Sequence, residues 1–217
     1  MNVSEAVASR RSIRHFQDSP VEDDLVRTLL TKAARAPSGG NVQPWRIFVV
    51  SGESMPRFHA ELAEAPNQTT PEYPIYPAAL TSPYRDSRFK VGEDMYARLG
   101  VPREDKGGRI AHLIRNFEFF GAPTGFFCFV DRIMGPPQWS DLGMFLQTFM
   151  LLAQEAGLDT CPQEAWAMRS DAVRRFVGAG DELMLFCGMA IGVRDADAPV
   201  NGLVTDRAPL DEWATFV

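Results

Sequence analysis

The chain is poor in the residues that staple small folds or hold metals: its 217 residues include 3 cysteines and 3 histidines. Cys128, Cys161 and Cys187 lie far apart with no C-x-x-C spacing, which excludes a disulfide framework or a zinc ribbon and fits a reduced compartment. His15, His59 and His112 share no metal-ligand spacing, so no metal is expected. Positive charge is also short. The 22 Lys plus Arg against 28 Asp plus Glu leave a net charge of -6, which argues against a partner that is nucleic acid or an anionic membrane. No run reaches the roughly 18 apolar residues that span a bilayer. The opening Met1-Asn2-Val3-Ser4-Glu5 lacks the basic-then-apolar order of a secretory leader, so a soluble, cytoplasmic protein is expected. Three signatures are missing as well. No G-x-G-x-x-G follows a strand, no G-x-x-x-x-G-K-[ST] is present, and no G-x-S-x-G elbow supports a serine hydrolase.

What is present is an ordinary globular composition, 45% hydrophobic and 23% charged, enough for one sizeable core, and a single domain over 1–217 is expected. Asn2 with Glu5 reads as a capping box that opens a first helix ending near Arg10 and Arg11. Glu22, Asp23 and Asp24 load the first turn of a second helix, whose Leu25, Val26, Leu29, Leu30 and Ala33 recur at helical spacing before Pro37. Strands are expected at 45–50, 124–130 and 183–193, each a compact apolar run. The apolar stretch 139–156 predicts a central helix buried nearly all round. Prolines at 66, 71, 74, 77 and 83 forbid a long helix there, and 65–118 reads as a lid or insertion. Helices dominate and the few core strands are dispersed among them, which favours an α+β class over a doubly wound fold.

Two segments carry candidate chemistry. Arg10, Arg11, Ser12 and Arg14 place three guanidiniums and a hydroxyl within five positions of an otherwise acidic chain. Arginine forks match phosphate oxygens in pairs, so this cluster suits a phosphomonoester, although a solvated basic helix end would have the same composition. The second is Pro37-Ser38-Gly39-Gly40-Asn41-Val42-Gln43-Pro44-Trp45, where glycines permit close backbone approach to a flat ligand while Asn and Gln offer donor and acceptor edges. Phosphate-type arginines without a nucleophile or an acid–base set suggest that a bound cofactor supplies the reactivity.

The segments R-R-S-I-R at 10–14, A-R-A-P-S-G-G-N-V-Q-P-W at 34–45 followed by R-I-F-V-V, and G-M-A-I-G-V with a later D-R-A-P-L-D-E-W together resemble the FMN-dependent nitroreductase family. The blocks at 116–127, 135–143 and 157–166 are similar to its bacterial branch that includes nitrobenzoate reductases. The resemblance implies an α+β sandwich: a central mixed sheet flanked by helices, with a C-terminal extension wrapping the partner of a homodimer. It also implies FMN as cofactor and NAD(P)H as electron donor, with nitroaromatics or quinones reduced by a ping-pong mechanism. Carried over by position, Arg10, Ser12 and Arg14 would hold the FMN phosphate and the ribityl or pyrimidine edge, with Arg11 beside them and Arg207 completing the phosphate pocket. Pro37, Ser38, Gly39 and Asn41 would line the isoalloxazine from the other subunit, with Gln43 nearby, while Pro162, Gln163 and Glu164 would pass over the flavin. Thr205 stands where family members often carry a lysine.

The lid would supply Tyr73, Tyr76, Arg85, Arg88, Tyr96, Arg115 and Asn116 to a small aromatic substrate, and its arginines favour an anionic one such as a nitrobenzoate. Two other readings stand beside this one. A reductive dehalogenase of halotyrosines or halophenols shares the P-S-G-x-N loop and clamps its substrate with lid Glu, Tyr and Lys. Glu93 and Tyr96 could imitate the first two, but Asn116 takes the place of the lysine. A non-catalytic flavin-binding protein is the other alternative.

Overall fold

The computed structural model describes residues 1–217. Its spine is a four-stranded antiparallel sheet of β1 (Arg46–Val50), β2 (Thr124–Asp131), β3 (Asp159–Gln163) and β4 (Leu183–Gly192), in the order β1-β2-β4-β3. The one parallel pairing is an isolated bridge from Ser12 to Thr160 on β3. The helices are α1 (Val3–Ser9), α2 (Asp23–Ala33), α3 (Ser54–Glu64), α4 (Tyr84–Arg98), α5 (Lys106–Ile114), α6 (Pro136–Glu155) and α7 (Ser170–Val177). The capping box forms: Asn2 accepts from the Glu5 amide at 2.9 Å, and the Glu5 carboxylate accepts from the Asn2 amide at 2.8 Å.

Both sheet faces are covered, which is why β2 and β4 read as continuous apolar runs rather than as alternating ones. Phe126, Cys128 and Val130 of β2 pack with α2 and α6, against Leu29, Leu142, Phe145 and Phe149. Phe127 and Phe129 point the other way, into an aromatic layer of Phe58 on α3, Phe119, Phe120 and Trp166. The ladder slips once. Cys128 pairs with Cys187 and Phe129 with Leu185, so Phe186 is skipped, and its carbonyl accepts the Tyr73 hydroxyl.

Two expectations change. Helix α6 keeps an exposed stripe of Ser140, Gly143, Met144 and Gln147, so it is buried on three sides rather than all round. The proline-rich stretch 65–118 also divides. Its first part is fastened to the body: Glu72, with a buried carboxylate, accepts from Arg132 at 2.5 Å and Arg174 at 3.0 Å, and its amide donates to the Ala167 carbonyl at 2.8 Å. Gln68 bonds Ser170 and the Asp171 amide. Helices α4 and α5 are held more lightly: α4 has no buried residue and meets the C-terminal segment through Lys90 and Asp206 at 2.7 Å, while α5 buries His112 alone.

Trp166 is fully buried, and its indole lies over Gly188 of β4 where a side chain would begin. Gly188→Ala is therefore expected to destabilise the fold by about 1–3 kcal/mol, the usual cost of overpacking. A lowered urea midpoint would show this; an unchanged midpoint would contradict the packing described.

Candidate functional site

After α1 the chain runs out beside β3. Ile13 is fully buried and its amide donates to the Thr160 carbonyl at 3.0 Å, so the extended backbone turns Ser12 and Arg14 to the opposite side. A buried asparagine far along the chain fixes this segment. Asn201 accepts from the Arg14 amide at 2.9 Å and donates to the carbonyls of His15 at 2.7 Å and Asp195 at 2.9 Å. The His15 ring meets Asp195 at 3.0 Å. Nothing local in the sequence marks Asn201, because two of its three partners, at Arg14 and His15, lie almost the length of the chain away.

The irregular C-terminal segment brings Arg207 back towards Arg10. Its guanidinium donates to the Thr205 hydroxyl at 2.8 Å and to the carbonyls of Thr205 and Asp206. Thus Thr205, in the position where a lysine was anticipated, orients the arginine instead of adding charge. Arg10 and Arg207 lie close enough that burial, and then the Arg207 charge, lower the Arg10 guanidinium below its ordinary range. None of Arg10, Arg11, Arg14 and Arg207 has an acidic partner within salt-bridge distance. Asp206, the nearest acid in sequence, is taken by Lys90 at 2.7 Å. Like charges assembled without a counter-charge are the chemistry of an anion site, and a phosphomonoester fits this donor set.

Pro162 to Glu164 lead out of β3 beside this cluster. Pro162 sits on an edge strand, where its missing N–H costs least. Gln163 is buried and turned inward: its amide donates to the Asn116 carbonyl at 2.7 Å, and its oxygen accepts from the Trp166 indole at 3.3 Å. The side chain of Gln163 is therefore structural. Glu164 keeps part of its surface exposed, and partial burial of its carboxyl raises it above the usual range.

The 37–43 loop is a tight turn with positive φ at Gly40 (58°), Asn41 (56°) and Gln43 (49°). Ser38 accepts from the Gln43 amide at 3.1 Å, and the Gln43 side chain folds back on the Asn41 carbonyl at 3.1 Å. Pro37, Gly39, Gly40 and Asn41 remain exposed. No hydrogen bond joins this loop to the arginine cluster within one chain; its ties run to α6, where Asp141 accepts from the Gly39 amide.

The lid residues separate by what already holds them. Tyr73 is packed with Trp139 and Phe186, and burial pushes its phenol above the ordinary value. Arg115 donates to the carbonyls of Arg14 at 3.5 Å and Phe120 at 3.2 Å, so it braces the arginine segment. Asn116 caps the Leu113 carbonyl at 2.9 Å and receives Gln163. Arg85 pairs with Asp86 at 2.9 Å. Tyr96 lies under the Arg109 guanidinium at 4.3 Å, and that guanidinium grips Glu93 with two bonds. Arg88 stacks on Tyr76 at 4.0 Å and has no carboxylate partner.

The α+β sandwich thus carries, beside its edge strand, an arginine cluster with no carboxylate partner. Residues 7–193 match the family model described as the nitroreductase family. The chain is 35% identical over 219 residues to a nitrobenzene nitroreductase of Ectopseudomonas oleovorans, covering 99% of this chain and 96% of that protein. It is 37% identical over 212 residues to a 4-nitrobenzoate reductase of Pseudomonas putida, covering 97% and 93%. The crystal structure of an FMN and NADPH-dependent nitroreductase, NfnB, from sphigopyxis sp. strain HMH matches with a TM-score of 0.95 at 47% identity, over 100% of this chain and 99% of that one. The chain belongs to the nitroreductase family.

One buried base lies against the cluster. His112 is 7% exposed, its Nε2 has no hydrogen-bond partner, and burial together with Arg115 and Arg14 pushes its pKa down to about 4 from 6.5. As pH falls, the unfolded chain takes up this proton first, so the stability that His112 contributes by being neutral is full above about pH 6.5 and is lost towards pH 4. The melting temperature of the protein is expected to fall more steeply across that window than that of His112→Leu; parallel curves would contradict the placement.

Proposed function

We propose that the protein is an FMN-dependent oxidoreductase that carries hydride from NAD(P)H to a nitroaromatic or quinone acceptor, acting as a homodimer. The observation that carries this reading is that Arg10 and Arg207, drawn from opposite ends of the chain, lie close enough for one charge to be felt by the other while neither has an acidic partner. Arg10, Ser12, Arg14 and Arg207 would hold the FMN phosphate and its adjoining chain, with Arg11 beside them. The backbone of 162–164 and the 37–43 turn would bracket the isoalloxazine ring. When bound, FMN supplies hydride transfer, accepting two electrons from the nicotinamide and passing them to the acceptor that takes its place. The protein's own part is to bind, orient and screen.

Because the 37–43 turn does not reach the arginine cluster of its own chain, the two halves of the site would meet across a subunit interface. Exposed Val3 and Val7 on α1, Met144 on α6, and Trp213 and Phe216 at the C-terminus supply apolar surface for a second copy to cover. The C-terminal residues would then wrap the partner. Helices α4 and α5 would form the cover over the ring. A dehalogenase-type clamp is disfavoured on a specific ground: the Arg109 fork already occupies Glu93.

Substrate class follows from the cover. The structural neighbours are FMN-dependent and NADPH-dependent nitroreductases, and the sequence relatives act on nitrobenzene or 4-nitrobenzoate by name. Arg88, stacked on Tyr76 and without a carboxylate, is the lid cation available to an anionic aromatic.

The purified protein is expected to be yellow, with about one FMN per subunit, and to oxidise NAD(P)H when a nitroaromatic is added. Arg88→Met should lower kcat/KM for 4-nitrobenzoate several-fold more than for nitrobenzene. Colourless protein that does not take up FMN would overturn the cofactor assignment; equal effects on both substrates would remove Arg88 from the substrate site.

A further inference from the structure

Asp141 stands in the middle of α6 among Leu142, Phe145 and Leu146, and is 4% exposed. No cation pairs with it, and its hydrogen bonding is limited to one donor. The Gly39 amide points between its two oxygens, 3.3 Å from each. An ionised carboxylate is costly to bury, and a single shared N–H is little compensation, so the position calls for a role beyond packing. One turn along the same helix face, Phe145 stacks on Trp45 with ring centroids 4.9 Å apart and planes at 18°. Asp141 therefore holds the start of the 38–45 segment, and Phe145 holds its end.

Between these two anchors lies the strained part of the chain. Gly40, Asn41 and Gln43 all have positive φ, a conformation that is unfavourable for residues other than glycine and persists where the surroundings impose it. Ser38 and Asn41, at the ends of that strained turn, are the side chains assigned above to the flavin ring. Within the turn the Asn41 amide donates to the Ser38 carbonyl at 2.9 Å and the Val42 amide to the Gly39 carbonyl at 3.2 Å, and the Gly39 amide bond to Asp141 is its tie to α6.

We propose that Asp141 is a positioning residue, which clamps the Gly39 amide so that the exposed 38–43 turn is held ready for the ring of the bound flavin. The clamp rests on the FMN reading above and adds to it a residue that touches neither cofactor nor substrate. It also accounts for an aspartate on the inner face of an otherwise apolar helix.

The test uses wild-type protein, Asp141→Ala and Asp141→Asn, each stripped of cofactor and titrated with FMN, with far-UV and visible circular dichroism recorded. Asp141→Ala removes the acceptor and should weaken FMN about tenfold and alter the visible dichroism of the bound flavin while far-UV signals stay the same. Asp141→Asn keeps one acceptor oxygen for Gly39 and should fall between, with a loss of about threefold. If Asp141→Ala does not fold, the Asn variant carries the test. Both variants within twofold of wild type and an unchanged flavin dichroism would overturn the clamp. Failure of wild-type protein to bind FMN would instead overturn the cofactor reading, so the two failures are distinguishable.

Discussion

Arg10 and Arg207 come from opposite ends of the chain yet lie close enough for the Arg207 charge to be felt at Arg10, and hydrogen bonds from the surrounding structure hold both segments in place. Burial of Ile13 and its strand-type bond to Thr160 fix the first arginine segment against β3. Asn201 joins that segment to the returning chain, and the Thr205 hydroxyl sets the Arg207 fork. Arg115 closes the arrangement from behind by bonding the Arg14 carbonyl. Each of these contacts is a hydrogen bond to a neutral group, so none of them quenches the charge. Net attraction for an anion is what such a construction leaves over.

The two-faced core gives this edge its rigidity. Trp166 lies over Gly188, and its indole donates to Gln163, which in turn holds the Asn116 carbonyl. A chain of buried contacts thus runs from the centre of the sheet to the segment 162–164. On the other face α6 does the same for the 38–45 segment, through Asp141 and Phe145. Each wall of the proposed cleft is thus anchored to the sheet of its own subunit, one from either face, while α4 and α5 bury few side chains.

The features legible in the sequence are those with local causes. The Asn2–Glu5 box, the acidic first turn of α2 and the apolar runs of β1, β2 and β4 all appear within a residue or two of their expected bounds. The R-R-S-I-R segment stands out because three arginines in five positions are unusual in an acidic chain. Strand β3 was not marked, since D-T-C-P-Q is short and contains a proline that only an edge strand tolerates. The fastening of 65–76 depends on Glu72 meeting Arg132 and Arg174, which are distant in sequence. Asn201 and Asp141 look like ordinary polar residues until the fold buries them. The left-handed turn at Asn41 and Gln43 is likewise set by long-range anchors, with Gly40 its only local sign.

The central claim is that the uncompensated arginine pair exists to bind the phosphate of FMN. Titrating cofactor-free protein with FMN and with riboflavin, which lacks only that phosphate, tests it directly, with Arg207→Ala as the companion. The account predicts that the wild type prefers FMN by about 100-fold, the scale of two charge-assisted hydrogen bonds, and that Arg207→Ala loses most of this preference. Riboflavin binding within threefold of FMN in the wild type would contradict it.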